Sequence, residues 1–161
     1  MILWYNTYVI LMEISVIISI ILVIIDQLLK FLIAKNVMFI EVIPHIFNIH
    51  RVYNYGVAFS FLENKQYLVL GISVVLIFFL FNMHKDLPKT KKYDILFGVI
   101  YGGIFGNLID RVIHGYVIDY LEVFIFKYSF PIFNLADICI TLGILILLVS
   151  MMGDRNDSRS K

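Results

Sequence analysis

Four aspartates lie within or beside strongly apolar segments of the chain, at Asp26, Asp110, Asp119 and Asp137. Two carboxyl groups held a few ångströms apart cannot both ionise easily, so such a pair shares one proton and titrates as a unit. The ionised member can take a proton from water, and the protonated member can donate one to a carbonyl oxygen. The pattern therefore indicates acid–base chemistry without a metal or a covalent intermediate, but it does not say which two aspartates form the pair.

The apolar segments that surround these aspartates are long enough to cross a membrane. The 161 residues are 61% hydrophobic and 16% charged, whereas soluble domains are roughly half apolar and about a quarter charged. A spanning helix needs about 20 mostly apolar residues, and four stretches qualify, at residues 8–34, 67–83, 95–113 and 132–152. The first has no basic residue before Lys30 and no small-residue cleavage pattern, so we interpret it as a permanent helix rather than a cleaved signal peptide.

The longest connection, residues 35–66, contains two short strand-like runs and an Asn54-Tyr55-Gly56 turn. It predicts a small antiparallel β platform that lies on the membrane. The fold class is therefore an all-α membrane protein with four transmembrane helices and a small extracytoplasmic sheet. Residues 1–153 are expected to form a single domain, and residues 154–161 a polar, disordered cytoplasmic tail.

The basic residues predict the orientation in the membrane. The short loop between the second and third spans holds four lysines, at Lys85, Lys89, Lys91 and Lys92. Because short cytoplasmic loops are enriched in Lys and Arg, this loop and both termini are expected in the cytoplasm. The four aspartates then converge at the extracytoplasmic side.

Some of these acidic residues also have a purely structural explanation. Asp26 and Lys30 are spaced i, i+4 and can pair on one helix face, and Asp110 beside Arg111 is compatible with an ordinary interfacial cluster. Asp119 stands in the apolar run YVIDYLEVF, which by itself is weak evidence for function.

Span four makes the strongest argument for function. Asn134 and Asp137 are three residues apart and face the same way, and no basic residue is near them in sequence. An unpaired charge inside the bilayer is costly and is usually functional. On span three, Asn107 shares a face with Arg111, and a stripe of small residues predicts close helix packing, at Gly98, Gly102 and Gly106.

Several other functions are disfavoured by the composition. A net charge of +1 argues against a nucleic-acid partner, and the single Cys139 excludes an intramolecular disulfide. The four histidines form no HExxH pattern, and Ser60 and Ser73 lack an evident Lys or His partner. No metal or cofactor is expected. Two rival interpretations stay open on residues alone: a proton- or cation-coupled transporter, and a non-catalytic scaffold organised by the glycine stripe.

Five short motifs, in order and in register, resemble those of lipoprotein signal peptidase, the signal peptidase II family of bacterial membrane aspartyl proteases. They are DQLLK at residues 26–30, NYGVAFS at 54–60, GNLIDR at 106–111, VIDY at 117–120 and FNLAD at 133–137. The resemblance covers about residues 24–143, which is nearly the whole chain.

The resemblance implies roles that the residues alone leave open. It assigns the two catalytic aspartates to Asp119 and Asp137, and it implies a substrate-binding or supporting role for a further set: Asp26, Lys30, Asn54, Gly56, Asn107, Asp110, Arg111, Asn134 and Ala136. The implied reaction is removal of the signal peptide from a diacylglyceryl-modified prolipoprotein, on the N-terminal side of the lipid-modified cysteine. The implied setting is the bacterial cytoplasmic membrane, with a monomeric enzyme that is inhibited by cyclic peptides such as globomycin.

Overall fold

The computed structural model describes residues 2–56, 66–126 and 128–159, and side chains within 13–56, 67–126 and 128–154. Its elements, in chain order, are α1 (Ile2–Asn36), β1 (Phe39–Ile43), β2 (Phe47–Asn54), α2 (Gln66–Asp86), α3 (Lys91–His114), β3 (Val117–Ile125), β4 (Tyr128–Ser129) and α4 (Leu135–Arg159). The four helices are each long and apolar enough to cross a membrane, which confirms the prediction of four spans. Part of the predicted platform and part of the NYGVAFS motif, together with Ser60, lie outside the described residues.

Helix α3 is the centre of the helical bundle, because α1, α2 and α4 all pack against it. Its first turn is capped by Thr90, whose side chain accepts a hydrogen bond from the Tyr93 N–H, and it ends at Gly115 with a φ of 81°. That left-handed conformation favours glycine and lets the Gly115 N–H bond to the Arg111 carbonyl. The helix therefore has fixed ends and a largely buried body.

The glycine stripe on α3 brings the neighbouring helices close, as predicted. A Cβ atom at Gly98 would lie 2.8 Å from the Ser15 carbonyl oxygen of α1, and one at Gly102 would lie 2.8 Å from the Leu22 Cβ. On the opposite side, a Cβ at Gly103 would lie 2.5 Å from the Ala136 carbonyl oxygen of α4. Small residues at these positions therefore allow both α1 and α4 to approach α3 closely.

The sheet is larger than the sequence predicted. It has four antiparallel strands in the order β1-β2-β3-β4, and β3 and β4 come from residues after α3 rather than from the predicted platform. Asp119 pairs with Val52 across β2 and β3. Asp119 therefore lies on a strand, because residues 117–125 pair with β2.

Two boundaries at α4 also differ from expectation. The helix begins at Leu135 rather than near residue 132, because Phe133 forms a bridge with Leu121 of β3. At the other end α4 continues to Arg159, so the prediction of a disordered tail is wrong as far as that residue. Asp154 is bonded there by Lys92 Nζ at 3.0 Å and by the Tyr93 hydroxyl at 2.6 Å, which ties this part of α4 to the start of α3.

Candidate active site

Asp119 is held on strand β3 by two side-chain amides. Its Oδ2 accepts a hydrogen bond of 2.8 Å from Asn54 Nδ2, at the end of β2, and its Oδ1 accepts one of 2.7 Å from Asn134 Nδ2. The residue is only 3% exposed. A carboxyl group in this position is fixed in orientation and is removed from bulk solvent.

Asp137 lies in the first turn of α4 and is held by the residue that precedes the helix. The Asn134 N–H donates to Asp137 Oδ2 at 3.1 Å, while the Asp137 N–H donates to Asn134 Oδ1 at 3.0 Å. This reciprocal arrangement is that of a capping box. The second oxygen, Asp137 Oδ1, accepts a 2.8 Å bond from Asn107 Nδ2 on α3. Asn134 therefore contacts both Asp119 and Asp137.

The environment of Asp119 favours its protonated form. Burial raises the pKa of its carboxyl group to about 7, and the nearby charge of Asp137 adds to the rise, against the lowering effect of the hydrogen bonds from Asn54 and Asn134. A carboxyl group with a pKa near neutrality can act as an acid or as a base at physiological pH.

A buried ammonium group lies behind this pair. Lys30 of α1 is 1% exposed, and its Nζ lies 2.8 Å from Asp26, 2.9 Å from Asp110 and 2.8 Å from Asn107 Oδ1. The i, i+4 pairing of Asp26 with Lys30 is therefore present. Because Lys30 can only donate hydrogen bonds, it fixes the Asn107 amide with its oxygen toward Lys30 and its nitrogen toward Asp137.

Asp26 and Asp110 have structural partners that connect α1, α3 and α4. The Ala136 N–H of α4 donates to Asp26 Oδ1 at 3.1 Å, and the Ile118 N–H of β3 donates to Asp110 Oδ2 at 3.2 Å. A Cβ atom at Gly106 would lie 2.5 Å from Asp26 Oδ2. The two carboxylates therefore join the elements that carry Asp119 and Asp137.

Gln27 belongs to this cluster, although the sequence did not single it out. Its Nε2 donates to Asp110 Oδ1 at 2.8 Å and to the Gly106 carbonyl at 3.1 Å. Its place in the sequence could have indicated this, because Gln27 lies within DQLLK, three residues before Lys30 and hence on the same helix face.

Arg111 connects the helical bundle to the turn after β2. Its Nη2 donates to the Gly56 carbonyl at 3.2 Å and its Nη1 to the Asn107 carbonyl at 3.3 Å. The Gly56 N–H in turn donates to Asn54 Oδ1 at 3.0 Å, which fixes the Asn54 amide with its nitrogen toward Asp119. All nine supporting residues predicted from the sequence therefore lie in one connected cluster with Asp119 and Asp137.

A cavity of about 640 Å³ opens beside the two aspartates. Its polar end is formed by Asp119, Asp137 and three further side chains of the cluster, Asn54, Asn107 and Arg111. The rest of the lining is mostly apolar and comes from Val117 of β3, from residues 130–133 and from the first turns of α4. A mostly apolar cleft with a few convergent polar groups is typical of a ligand site.

Comparison with known proteins identifies the family. The family described as Signal peptidase (SPase) II matches residues 18–153 of the chain. The lipoprotein signal peptidase of Staphylococcus aureus strain MRSA252 is 33% identical over 151 residues, which is 91% of this chain and 93% of that protein. The chain belongs to the signal peptidase II family.

Solved structures support the same conclusion. A bacterial membrane enzyme determined by the in meso method at 2.3 Å resolution matches with a TM-score of 0.81 and 33% identity, covering 91% of this chain and 92% of that one. A second, at 1.9 Å resolution, matches with a TM-score of 0.76 and 33% identity, covering 87% and 93%. The protein is therefore a multi-pass membrane peptidase of the family that cleaves lipoprotein signal peptides, which excludes the transporter and scaffold interpretations.

Proposed function

We propose that the protein removes the signal peptide from diacylglyceryl-modified prolipoproteins by water attack, with Asp119 and Asp137 sharing one proton. Cleavage falls on the N-terminal side of the lipid-modified cysteine. The observation that carries the proposal is the double contact of Asn134, which bonds to both carboxyl groups at the polar end of one cavity.

The two carboxyl groups have different roles in this mechanism. Asp137 lies at the N-terminus of α4, where the helix dipole favours a negative charge, so it is the ionised member that takes a proton from the attacking water. Asp119 carries the shared proton and donates it to the scissile carbonyl oxygen. The resulting tetrahedral intermediate collapses when Asp137 returns its proton to the leaving amine of the cysteine, while Asp119 recovers a proton from the hydroxyl.

The remaining polar residues position the substrate and the pair. Asn54 and Asn107 orient the two carboxyl groups. Arg111, which bonds to the Gly56 carbonyl and lines the cavity, orients a peptide carbonyl of the substrate. The Lys30 cluster keeps α1, α3 and α4 in register. We also propose that the enzyme acts as a monomer and that cyclic peptide inhibitors such as globomycin occupy the same cavity.

The substrate's lipid explains why the site lies in a membrane protein. Each buried CH₂ group contributes about 0.8 kcal/mol, so the acyl chains supply much of the binding while the side chains position the scissile bond. In the proposed orientation the cavity lies at the extracytoplasmic face, where a lipid-anchored precursor presents that bond.

Reconstitution of the enzyme in liposomes tests this function. With a diacylglyceryl-modified precursor, mass spectrometry is expected to show a released signal peptide and a product that begins at the lipid-modified cysteine. The unlipidated precursor is expected to react at least about tenfold more slowly, because loss of even two buried CH₂ groups costs that much. Equal rates for both precursors, or cleavage at another bond, would contradict the proposal.

A further inference from the structure

A second polar cluster lies in the sheet, centred on Glu122 of β3. Glu122 is three residues from Asp119, and since side chains alternate along a strand it faces the opposite side of the sheet. Its Oε2 accepts a 3.0 Å hydrogen bond from Asn48 Nδ2 of β2, and its Oε1 accepts a 3.2 Å bond from the Ser129 hydroxyl of β4. One carboxylate therefore links three neighbouring strands.

The chemistry of this cluster keeps Glu122 charged. Burial raises the pKa of its carboxyl group, but the hydrogen bonds from Asn48 and Ser129 and the nearby His50 outweigh burial, so the pKa is below its usual value. His50 Nδ1 lies 3.4 Å from Glu122 Oε2. Hydrogen bonds to an ionised acceptor are about twice as strong as neutral ones. The hydrogen bonds that Asn48 and Ser129 make to Glu122 are therefore strongest when Glu122 is ionised.

Ser129 is directly followed by the segment that forms the apolar side of the cavity, residues 130–133, which we call the cavity wall. At its start the wall is bonded to β3 by the Phe130 N–H, which donates to the Val123 carbonyl at 2.8 Å. At its end Phe133 makes three backbone bonds to β3: its N–H donates to the Leu121 carbonyl at 3.1 Å, and its carbonyl accepts from the N–H groups of Tyr120 and Leu121 at 3.0 and 2.8 Å. Between these two points Pro131 has no N–H to donate. The position of the first part of the wall, at Phe130 and Pro131, therefore depends on how firmly Ser129 and Phe130 are held.

The wall is continuous with exposed apolar surface on α4, which we expect to face lipid. Phe130 is 48% exposed and Leu142 of α4 is 51% exposed, and both also line the cavity. The exposed apolar surface at Leu142 continues along α4 with Leu145 and Ile146. A hydrocarbon chain can therefore lie against the wall and extend into the bilayer without leaving apolar surroundings.

We propose that Glu122 is a positioning residue that, through Ser129, fixes the cavity wall against which the acyl chains of the substrate lie. It thereby sets the KM for the lipidated substrate without taking part in the proton transfers. This inference rests on the proposed function.

The Glu122→Gln variant tests the proposal. A neutral amide at this position can still accept a hydrogen bond from Asn48 and donate one to the Ser129 hydroxyl, but neither bond then has the charged acceptor that makes the wild-type bonds strong. We expect KM for the diacylglyceryl-modified precursor to rise roughly five- to tenfold, as expected when a charged acceptor is replaced by a neutral one, with kcat changed by less than about twofold. The KM of the variant is also expected to depend less steeply on acyl-chain length than that of the wild type.

Glu41→Gln is the matched control, because Glu41 is an exposed carboxylate in β1 of the same sheet, and it is expected to leave KM unchanged. A KM for Glu122→Gln within twofold of wild type, or a fall in kcat with unchanged KM, overturns the proposal. If Glu122→Gln does not fold, Ser129→Ala removes the hydroxyl that contacts Glu122 and, at 3.2 Å, the Phe130 carbonyl. An unchanged KM in that variant overturns the proposal equally.

Amide hydrogen exchange tests, without any substrate, whether the hydrogen bonds of Glu122 hold the wall in place. Exchange at Phe130 is expected to be faster in Glu122→Gln than in wild type and Glu41→Gln, and equal exchange overturns the proposal. An enzyme that does not cleave the lipidated precursor at all would instead contradict the proposed function, so the two failures are distinguishable.

Discussion

Asn134 is the side chain on which the geometry of both candidate catalytic carboxyl groups depends. It caps α4 through Asp137 and donates to Asp119 from the same amide. Its amide cannot flip without placing its NH₂ group against the Asp137 N–H and its oxygen against the Asp119 carboxyl group. A single buried asparagine therefore joins a helix start to a strand.

The raised pKa of Asp119 predicts the pH dependence of the reaction. Its pKa of about 7 means that the shared proton is lost as pH rises through neutrality, so kcat/KM is expected to fall on the alkaline side with an apparent pKa near 7. Removing the Asn54 amide removes a bond that favours the ionised form. The alkaline limb of Asn54→Ala is therefore expected at higher pH than in wild type.

The measurement is kcat/KM against pH, since this ratio reports the free enzyme. Lower overall activity of Asn54→Ala is compatible with the account. An alkaline limb that moves to lower pH in that variant would contradict the assignment of the proton to Asp119.

The two candidate catalytic aspartates were not equally predictable from the sequence. The local sequence was enough to predict a functional role for Asp137, because this residue lies in an apolar span without a basic neighbour. The local sequence was not enough for Asp119. Its position in the site depends on the pairing of β3 with β2 and on contacts with Asn54 and Asn134, which are distant in sequence. Only the family resemblance ranked it above Asp26 and Asp110.

At the scale of elements, α1 packs closely against α3. This packing places the Lys30 cluster, which is Lys30 with Asp26, Asp110 and Asn107, next to Asp119 and Asp137. Gly106→Ala is expected to disturb it, because the new Cβ would lie 2.5 Å from Asp26 Oδ2. Overpacking of this kind costs about 1–3 kcal/mol, so we expect a lower unfolding temperature and a loss of kcat/KM of about tenfold or more. Both are measured on the purified enzyme in lipid nanodiscs.

Gly71→Ala in α2 is the matched control. A Cβ there meets nothing within 4 Å, and alanine is favoured over glycine in a helix interior by about 0.5–1 kcal/mol. It is expected to retain activity and to be at least as stable as wild type. Equal behaviour of the two variants would show that the glycine stripe does not position the site.

The elements themselves were only partly predictable. Long apolar runs determine spanning helices almost independently of context, so the four spans were found. Strand β3 was missed because residues 117–125 pair with residues 47–54, and that non-local contact has no clear local signal. Strand β4 was missed because it is only two residues long and pairs with β3.

At the scale of the whole molecule, the aspartate pair and the sheet lie at one end of the bundle. The lysine loop lies at the other end: Lys89 is in the connection itself, and Lys85, Lys91 and Lys92 are in the adjoining ends of α2 and α3. The proposed orientation places the lysine loop in the cytoplasm. In a Cys139→Ala background, Met38→Cys after α1 is expected to react with a membrane-impermeant maleimide in intact cells. Asp86→Cys at the end of α2 is expected to react only after the cells are permeabilised. The opposite labelling pattern would reverse the orientation.

The most direct test of the central claim is the rate of signal-peptide release by Asp119→Asn and Asp137→Asn, measured with the lipidated precursor. Each variant, and the double variant, is expected to lose at least about a hundredfold in kcat, because proton transfer by a positioned carboxyl group contributes 10²–10⁴-fold. Glu41→Gln is expected to match wild type, and unfolding temperatures establish that all variants are folded. A folded Asp119→Asn, Asp137→Asn double variant that still cleaves at more than about a tenth of the wild-type rate would contradict the account.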